Sequence, residues 1–337
     1  MSIRTELAPY LRGYEEKFTS KGEIRWLPHL LYFHPQSYSS DVVNTDSVGF
    51  RYATHGDRSY SAADHHDSES VRLLAGSSTV FGIGASSDAW TLPSRLNVHD
   101  PRDQTWLNFG GRSFNSTQEL LLLTLYRHLL PKVDEIVLFS GFNNLSLARM
   151  PQVRNEDHGT FFQYNMYNEM LGRHKEPKAA GPSVKNLFRK KQEPAAVAEP
   201  VVPSITEQID YAAELTIRHL DAWKALASTW DAKITYILQP LSGWVRDKGS
   251  REEELIFDEL ERMGGFAAMY GDILSREVNV EYAAKLEQGA KNLGIDFVNF
   301  SPVMTQSAAA DDWLFIDRIH LTDNGHDFVA RKILENI

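Results

Sequence analysis

The sequence predicts an α/β fold built on a mostly parallel sheet. Apolar runs of strand length alternate with longer stretches of helical periodicity, which is the pattern of βα repeats. The chain has 337 residues, 42% of them hydrophobic, so it can bury a sizeable core. Length alone would allow about two domains. We expect one elaborated domain over residues 67–337, with residues 1–66 packed against it as an N-terminal extension.

Five apolar runs are the predicted strands of this sheet. They are short and bounded by polar, glycine or proline residues, as buried strands are. Because helical stretches separate them along the chain, neighbouring strands should run parallel. The predicted strands are residues 71–75, 106–108, 135–140, 234–238 and 297–300.

Helical patterns fill the connections between these strands. Pro131 marks the end of the first helix and Gly294 the end of the fourth, since neither residue favours a helix interior. In the extension, an amphipathic helix is expected near residues 4–18, followed by an aromatic-rich extended segment. The predicted core helices are residues 117–130, 205–227, 251–263, 280–293 and 324–335.

A serine near the first strand and an Asp–His pair near the C-terminus suggest nucleophilic chemistry. Ser77 and Ser78 follow strand 71–75 and Gly76, and Asp317 lies three residues before His320. A serine hydroxyl is a poor nucleophile unless a base, itself oriented by a third group, accepts its proton. On a helical turn Asp317 could hold one imidazole nitrogen while the other faces Ser78.

Two further segments offer donors for the oxyanion of acyl chemistry. In IVLFSGFNNL a buried strand ends at Gly141 and presents the Asn143 amide. In WLNFGGRSFNSTQEL a strand ending near Asn108 leads into a loop of small residues with free backbone N–H groups. Each feature also has a simpler explanation: the serines could cap a helix, the asparagines could form turns, and Asp317 and His320 could be structural. All four segments, however, fall where parallel strands end, which is where open α/β sheets bind ligands.

Together the four segments resemble, in order, the four sequence blocks of the SGNH hydrolases, also called GDSL esterases and lipases. The resemblance covers most of residues 71–337. It implies a flavodoxin-like three-layer α/β/α sandwich with a mostly parallel five-stranded sheet. It also implies that Ser78 is the nucleophile and that Asp317 and His320 complete a catalytic triad.

The same resemblance implies the oxyanion donors. The third block places Asn143 in this role, together with the N–H of Ser78. Alignment of the second block on Asn108 places Ser113 where the family has a glycine, with Gly111 as the runner-up. The N–H of Ser113 serves as well as that of glycine if its backbone angles are ordinary, whereas a positive φ would favour Gly111.

Three positions depart from the family pattern and leave the substrate class open. Ser77 and Asn144 stand where the family has aspartates, and Ser113 stands where it has a glycine. None of these changes removes a catalytic group. The predicted function is therefore a serine esterase acting on a small-molecule acyl ester, for example in O-deacetylation of a carbohydrate or metabolite. The alternatives are an acyltransferase using the same acyl-enzyme, or a non-catalytic binding or assembly protein of this fold.

Composition and motifs argue against several classes of partner and cofactor. A formal charge of -10 disfavours nucleic-acid binding, which requires a basic surface. The chain has no cysteine, which excludes disulfides, thiolate metal sites and a cysteine nucleophile. The DHHD run at 64–67 lacks a second ligand cluster, and the glycines of GSSTVFGIG fit neither phosphate-loop nor dinucleotide motifs. We expect no cofactor and no metal, and the oligomeric state is left open.

Hydropathy predicts a cytoplasmic protein without a membrane span. The N-terminal run is charged throughout, and no apolar run approaches about 18 residues. Residues 172–203 form a basic insertion that is expected to be flexible, either as a solvated linker or as a contact to a membrane or anionic partner. The aromatic stretch 161–171 before it could pack or cover the site. The extension's tyrosines and Arg51 could line one side of the substrate cleft.

Overall fold

A computed structural model describes residues 2–15, 17–18, 24–102, 104–150, 159–172 and 201–337. Within these residues nine strands form three sheets. In chain order the strands are β1 (Arg25–Leu27), β2 (Leu31–Phe33), β3 (Ala53–His55), β4 (Arg58–Tyr60), β5 (Ser70–Gly76), β6 (Trp106–Gly110), β7 (Lys132–Ser140), β8 (Lys233–Leu238) and β9 (Asp296–Asn299).

Helices connect and flank these strands. Short 3₁₀ segments lie at Pro9–Leu11, Asp88–Trp90, Arg127–Leu129 and Gly271–Leu274. The α-helices are α1 (Ile3–Leu7), α2 (Arg12–Glu15), α3 (Ser78–Phe81), α4 (Leu92–His99), α5 (Ser116–Tyr126), α6 (Phe142–Ala148), α7 (Tyr164–Met170), α8 (Ile205–Ala227), α9 (Ser242–Val245), α10 (Arg251–Gly264), α11 (Phe266–Tyr270), α12 (Arg276–Leu293), α13 (Phe300–Ser307) and α14 (Asp323–Leu334).

The central sheet has five parallel strands in the order β6-β5-β7-β8-β9, which confirms the predicted fold class. Successive side chains of β5 enter opposite faces of the sheet: Leu73 belongs to one apolar cluster and Leu74 to another. Helices α5, α8 and α12 cover the first face, and α4, α13 and α14 cover the second. The arrangement is a three-layer α/β/α sandwich, as in flavodoxin-like folds.

Local signals explain how closely prediction and structure agree in the core. Helix α8 occupies the predicted range because Ser204 and Glu207 form a capping box at its start. Helix α12 begins at Arg276, four residues earlier than predicted, because the Ser275 side chain accepts a hydrogen bond from the N–H of Val278. The run 297–300 was expected to be all strand, but Phe300 begins α13 after the cap residue Asn299.

The expected single helix over residues 4–18 is wrong. The chain instead forms α1, a 3₁₀ turn beginning at Pro9, and α2. Proline lacks the N–H that an α-helix needs in its interior, so α1 ends before it. Leu11, Tyr14 and Phe18 are nevertheless buried in one apolar cluster that also contains Phe81 of α3. The described residues of the extension that follow include two antiparallel hairpins, β1-β2 and β3-β4, which the sequence pattern does not predict.

Most of the basic insertion predicted at 172–203 lies outside the described residues, which resume at Val201. The aromatic stretch before it contains α7. Among the helices of the described ranges, none has both the length and the apolar character needed to cross a membrane.

Candidate active site

Ser78 lies at the carboxyl end of β5, immediately after a tight turn. The turn requires Gly76, since a Cβ there would overlap the carbonyl oxygen of Phe139 on the neighbouring strand. Ser77 occupies the N-cap position of α3, but no side-chain hydrogen bond caps this helix. Instead the hydroxyl of Ser78, the first helical residue, lies 2.8 Å from Nε2 of His320. The capping explanation for Ser78 therefore does not apply.

Asp317 and His320 lie on the loop between α13 and α14, not on a helical turn as expected. The Asp317 carboxylate itself forms the turn: Oδ1 accepts the N–H groups of Ile319 at 2.8 Å and His320 at 2.7 Å. An isolated bridge between Phe315 and Leu321 closes the base of the loop. The same side chain that shapes the loop thus also faces the imidazole.

Hydrogen bonds define the imidazole's orientation. Nδ1 of His320 lies 2.9 Å from Oδ2 of Asp317, so this nitrogen carries the proton and Nε2 can accept the Ser78 hydroxyl. Nη2 of Arg4, from the N-terminal extension, lies 3.5 Å from the same Oδ2. Burial alone would raise the pKa of Asp317, but His320 and Arg4 outweigh it and hold that pKa well below its usual range.

Asn143 lies in the first turn of α6, directly after β7. Its Nδ2 donates to the carbonyl of Phe114 at 2.6 Å, which fixes the amide and leaves its second hydrogen for the cavity it shares with Ser78. Asn143 as a whole is 4% exposed, so it is largely shielded from water.

Ser113 adopts a left-handed conformation with φ of 59°. A positive φ at Ser113 was the condition that would favour Gly111 as the oxyanion donor. The Gly111 N–H, however, already donates to Gly76 O at 3.0 Å. By contrast, Ser113 lines the cavities that contain Ser78, and no hydrogen bond from its N–H is found among the described residues. The Tyr32 hydroxyl donates to Ser113 O at 2.9 Å and holds this loop from the N-terminal extension. The geometry therefore favours Ser113.

Asn144 links the start of α6 to the neighbouring helices α5 and α8. Its Oδ1 accepts the N–H of Ser116 at 3.0 Å, while Nδ2 donates to Ser116 Oγ and to Thr216 Oγ1, both at 2.7 Å. An ionised aspartate could not donate these two bonds. The asparagine found where the resembling family has aspartate thus fits a site that needs donors as well as an acceptor.

Arg51 does not line the cleft, contrary to the alternative suggested by sequence. Its side chain is fully buried, with Nε 2.7 Å from Asp88 and Nη1 donating to the carbonyls of Phe81 at 3.2 Å and Gly82 at 2.9 Å. It thereby holds the end of α3. Of the extension's tyrosines, Tyr14 does line a cavity, and its hydroxyl also donates to Gly82 O at 2.9 Å.

The loop that carries Ser113 is held by a buried neutral histidine. Nε2 of His34 accepts the N–H of Arg112 at 3.1 Å, so Nδ1 carries the proton and donates to Gly49 O at 3.0 Å. Burial, reinforced by the positive charge of Arg112, holds the pKa of His34 well below its usual range. A single neutral tautomer therefore supports the loop.

Two cavities meet at Ser78, Ser113 and His320. The arginine cavity, of about 380 Å³, is also lined by Arg4, Leu11, Tyr14, Arg112, Glu259 and Leu260. The second cavity, called the apolar cavity because most of its lining is apolar, has a volume of about 680 Å³ and is also lined by Phe142, Arg149, Met150, Phe162, Met269, Tyr270 and Ile319. Both volumes are typical of small-molecule sites. Phe162, from the aromatic stretch that could pack or cover the site, lines the apolar cavity.

Sequence reasoning did not identify Arg4 or Arg112 as parts of the site, and it included Tyr32 only among the extension's tyrosines that could line the cleft. Arg4 and Tyr32 are far from Ser78 in the sequence, and nothing in their local patterns distinguishes them from other residues of the extension. Arg112 adjoins Ser113, but the sequence pattern at this position indicates only a role for the backbone N–H of Ser113. Each becomes recognisable only when the extension is packed against the sheet.

No protein-family model matches the chain, and no curated protein matches it in sequence. Distant solved structures do. They include a lipase/acylhydrolase from Enterococcus faecalis (12% identity, TM-score 0.43, 80% of this chain and 94% of that one). A lipolytic protein of the G-D-S-L family from Veillonella parvula matches with 12% identity and a TM-score of 0.43, over 79% of this chain and 97% of that one. An acetylxylan esterase from Geobacillus stearothermophilus, in a catalytic-mutant form, matches with 14% identity and a TM-score of 0.41, over 80% and 93%.

The Veillonella protein belongs to the family that the sequence motifs resemble. Because these likenesses are distant, the function of this chain has to be argued from the geometry of its own site.

Proposed function

We propose that the protein is a serine esterase that hydrolyses small acyl esters through an acyl-enzyme. One observation carries the proposal: Ser78 Oγ, the two nitrogens of His320 and the Asp317 carboxylate form a continuous hydrogen-bonded chain, with links of 2.8 and 2.9 Å. This chain opens onto two cavities large enough for the two halves of a small ester. The same constellation activates serine on several unrelated folds.

In the first half-reaction the Ser78 oxygen attacks the ester carbonyl while Nε2 of His320 accepts the hydroxyl proton. Asp317 keeps the imidazole in the required tautomer and stabilises the imidazolium that forms. The carbonyl oxygen gains negative charge and would accept hydrogen bonds from the Asn143 amide and from the N–H groups of Ser78 and Ser113. His320 then gives its proton to the departing alcohol.

In the second half-reaction a water molecule replaces the alcohol. His320 accepts a proton from this water as it attacks the acyl-enzyme, and returns the proton to Ser78 Oγ when the carboxylic acid leaves. An alcohol or amine acceptor in place of water would make the same site an acyltransferase. Within esterase chemistry, O-deacetylation of a carbohydrate or metabolite is our more specific proposal, because it follows from the family resemblance and from the small cavities.

Hydrolysis of 4-nitrophenyl acetate by matched serine variants tests this proposal. Ser78→Ala should abolish turnover with the fold intact, whereas Ser77→Ala should retain much of it, because Ser77 makes no cap hydrogen bond in α3. Far-ultraviolet circular dichroism of both variants controls for folding. Equal loss of activity in the two folded variants would mean that Ser78 is not the nucleophile.

A further inference from the structure

The arginine cavity places two positive charges beside the reactive serine. Arg4 and Arg112 line it together with Ser78 and His320. Arg4 comes from the N-terminal extension and Arg112 from the loop after β6, so two separate parts of the fold each contribute an arginine to the lining of one cavity. The chain as a whole carries a formal charge of -10, so this local concentration of positive charge runs against its overall character.

Glu259, the one carboxylate side chain that lines this cavity among the described residues, already has hydrogen-bond partners. Its Oε1 accepts the N–H of Ile3 at 2.8 Å, and its Oε2 accepts the hydroxyl of Ser2 and the N–H of Arg4, both at 2.9 Å. These bonds hold the pKa of Glu259 below its usual value. Glu259 therefore fastens the start of α1 to α10 and puts Arg4 in place.

Arg4 keeps hydrogen-bonding capacity that its present contacts do not use. Its contact with Asp317 is 3.5 Å, at the long limit of a hydrogen bond, and Asp317 already bonds to His320 and two backbone N–H groups. Within the described part of the chain, the buried Nε of Arg4 has no hydrogen-bond partner. A buried donor of this kind is costly unless a ligand or water satisfies it.

Arg112 is held rigidly next to the proposed oxyanion donor Ser113. The residue is 7% exposed, and its backbone N–H donates to Nε2 of His34 at 3.1 Å. Burial lowers the pKa of Arg112, which reflects the cost of keeping a guanidinium away from water. An anion in the same cavity would attract this guanidinium strongly, because attraction between opposite charges is stronger where water is excluded.

We propose that this site acts on anionic esters, with a carboxylate or similar oxyanion of the substrate bound by Arg4 and Arg112 in the arginine cavity. The apolar cavity would take the uncharged remainder. This inference rests on the proposed esterase function and specifies its substrate class. Arginine suits the role because its planar fork pairs with carboxylates and phosphates through two parallel hydrogen bonds.

Matched neutral and anionic esters test the inference. One pair carries the charge on the alcohol side: 4-acetoxybenzoate and its neutral analogue 4-acetoxybenzamide. The other carries it on the acyl side: 4-nitrophenyl hydrogen adipate and its monoamide. In wild type, kcat/KM should be at least roughly tenfold higher for the anionic member of one pair, since hydrogen bonds to charged groups are the stronger kind. The pair that shows this preference identifies which half of the ester enters the arginine cavity.

Three variants assign the preference to these residues. Arg4→Gln and Arg112→Gln should each lower the anionic-to-neutral ratio of kcat/KM by roughly tenfold or more, and Arg112→Lys should restore part of it. Arg331→Gln, an exposed arginine on α14 paired with Asp327, is the matched control and should leave the ratio unchanged. Arg4→Gln keeps the test decisive if the Arg112 variants do not fold.

Two results would overturn the inference: no anionic preference in either pair, or a preference that survives in both glutamine variants. If wild type hydrolyses none of the four esters, the proposed function fails, and calorimetric binding then decides the inference separately. Ser78→Ala should bind 4-acetoxybenzoate or 4-nitrophenyl hydrogen adipate at least tenfold more tightly than Ser78→Ala combined with Arg112→Gln or with Arg4→Gln. The anion site is rejected if Ser78→Ala and the two double variants bind each probe equally tightly. It is also rejected if Ser78→Ala binds neither probe.

Discussion

Replacing Asn143 by alanine isolates the proposed contribution of its amide to catalysis. The amide lies in the cavity with Ser78, and its Nδ2 is aligned by a 2.6 Å hydrogen bond to Phe114 O. Loss of one side-chain donor to an oxyanion typically costs a factor of about a hundred to a thousand in kcat, or roughly 2.7–4 kcal/mol. We therefore expect Asn143→Ala to lower kcat by that factor while KM changes little, because the donor acts on charge that develops in the transition state.

The neighbouring Asn144 offers a matched control, because its replacement should cost more stability but less kcat than that of Asn143. Asn143→Ala removes one buried hydrogen bond and should cost about 1–3 kcal/mol of stability, since the Phe114 carbonyl loses its donor. Asn144→Ala removes three, at 3.0, 2.7 and 2.7 Å, and at about 1 kcal/mol each should cost about 3 kcal/mol or more. Asn144 is not among the lining residues of either cavity, so its kcat should fall less than roughly tenfold.

Steady-state hydrolysis of 4-nitrophenyl acetate and urea denaturation measure the two effects on the same samples. The assay temperature has to lie well below both melting transitions, so that only folded protein contributes to kcat. Two results would exclude an oxyanion role for the Asn143 amide: a kcat for Asn143→Ala close to that of wild type, or an equally large loss of kcat in folded Asn144→Ala. The first would remove Asn143 from the oxyanion site, and the second would assign its effect to the position of α6.

Three further predictions concern the support of the site. Burial raises the pKa of Glu119 to about 8, against the opposing hydrogen bond from Ser140. The folded protein therefore retains a proton that the unfolded chain releases above its usual value of 4.5. As the pH rises from 4.5 to about 8, wild type should lose about 1.4 kcal/mol of unfolding free energy per pH unit relative to Glu119→Gln. If urea denaturation shows the same difference in unfolding free energy between the two proteins at every pH in this range, the raised pKa is contradicted. Arg51→Met should destabilise the fold by about 3–5 kcal/mol, because Asp88 loses its buried partner; an unchanged urea midpoint would argue against that pairing. Ser113→Gly should retain esterase activity, because only the N–H is used and glycine accepts a φ of 59°. Ser113→Val should lose about 1–3 kcal/mol of stability, because a β-branched residue is strained at this φ. A folded but inactive glycine variant would show that the serine side chain is needed.

The central sheet was predictable because four of its strands, β5, β6, β7 and β8, are largely buried on both faces. Such strands appear in the sequence as nearly continuous apolar runs, and all five predicted runs fall on strands. Helix α8 was predictable to the residue because Ser204 and Glu207 mark its start. The end of β9 was less predictable, since Phe300 is as apolar as a strand residue and only the capping by Asn299 assigns it to α13.

The extension and the details of the site depend on contacts between distant parts of the chain. Arg51 could be assigned to the cleft on residue type alone, but its burial against Asp88 and the end of α3 follows only from packing. The left-handed φ of Ser113 is supported by Tyr32, 81 residues away in sequence. The pairing of Asp317 with His320 was anticipated from their spacing, but the turn that creates it depends on backbone hydrogen bonds to the carboxylate.

Whether Ser78 is an activated serine can be measured by intact-protein mass spectrometry after treatment with a fluorophosphonate probe. We expect a single covalent adduct that maps to Ser78, is absent from Ser78→Ala and persists in Ser77→Ala. No adduct on folded wild type, or an adduct on another residue that survives in Ser78→Ala, would contradict it.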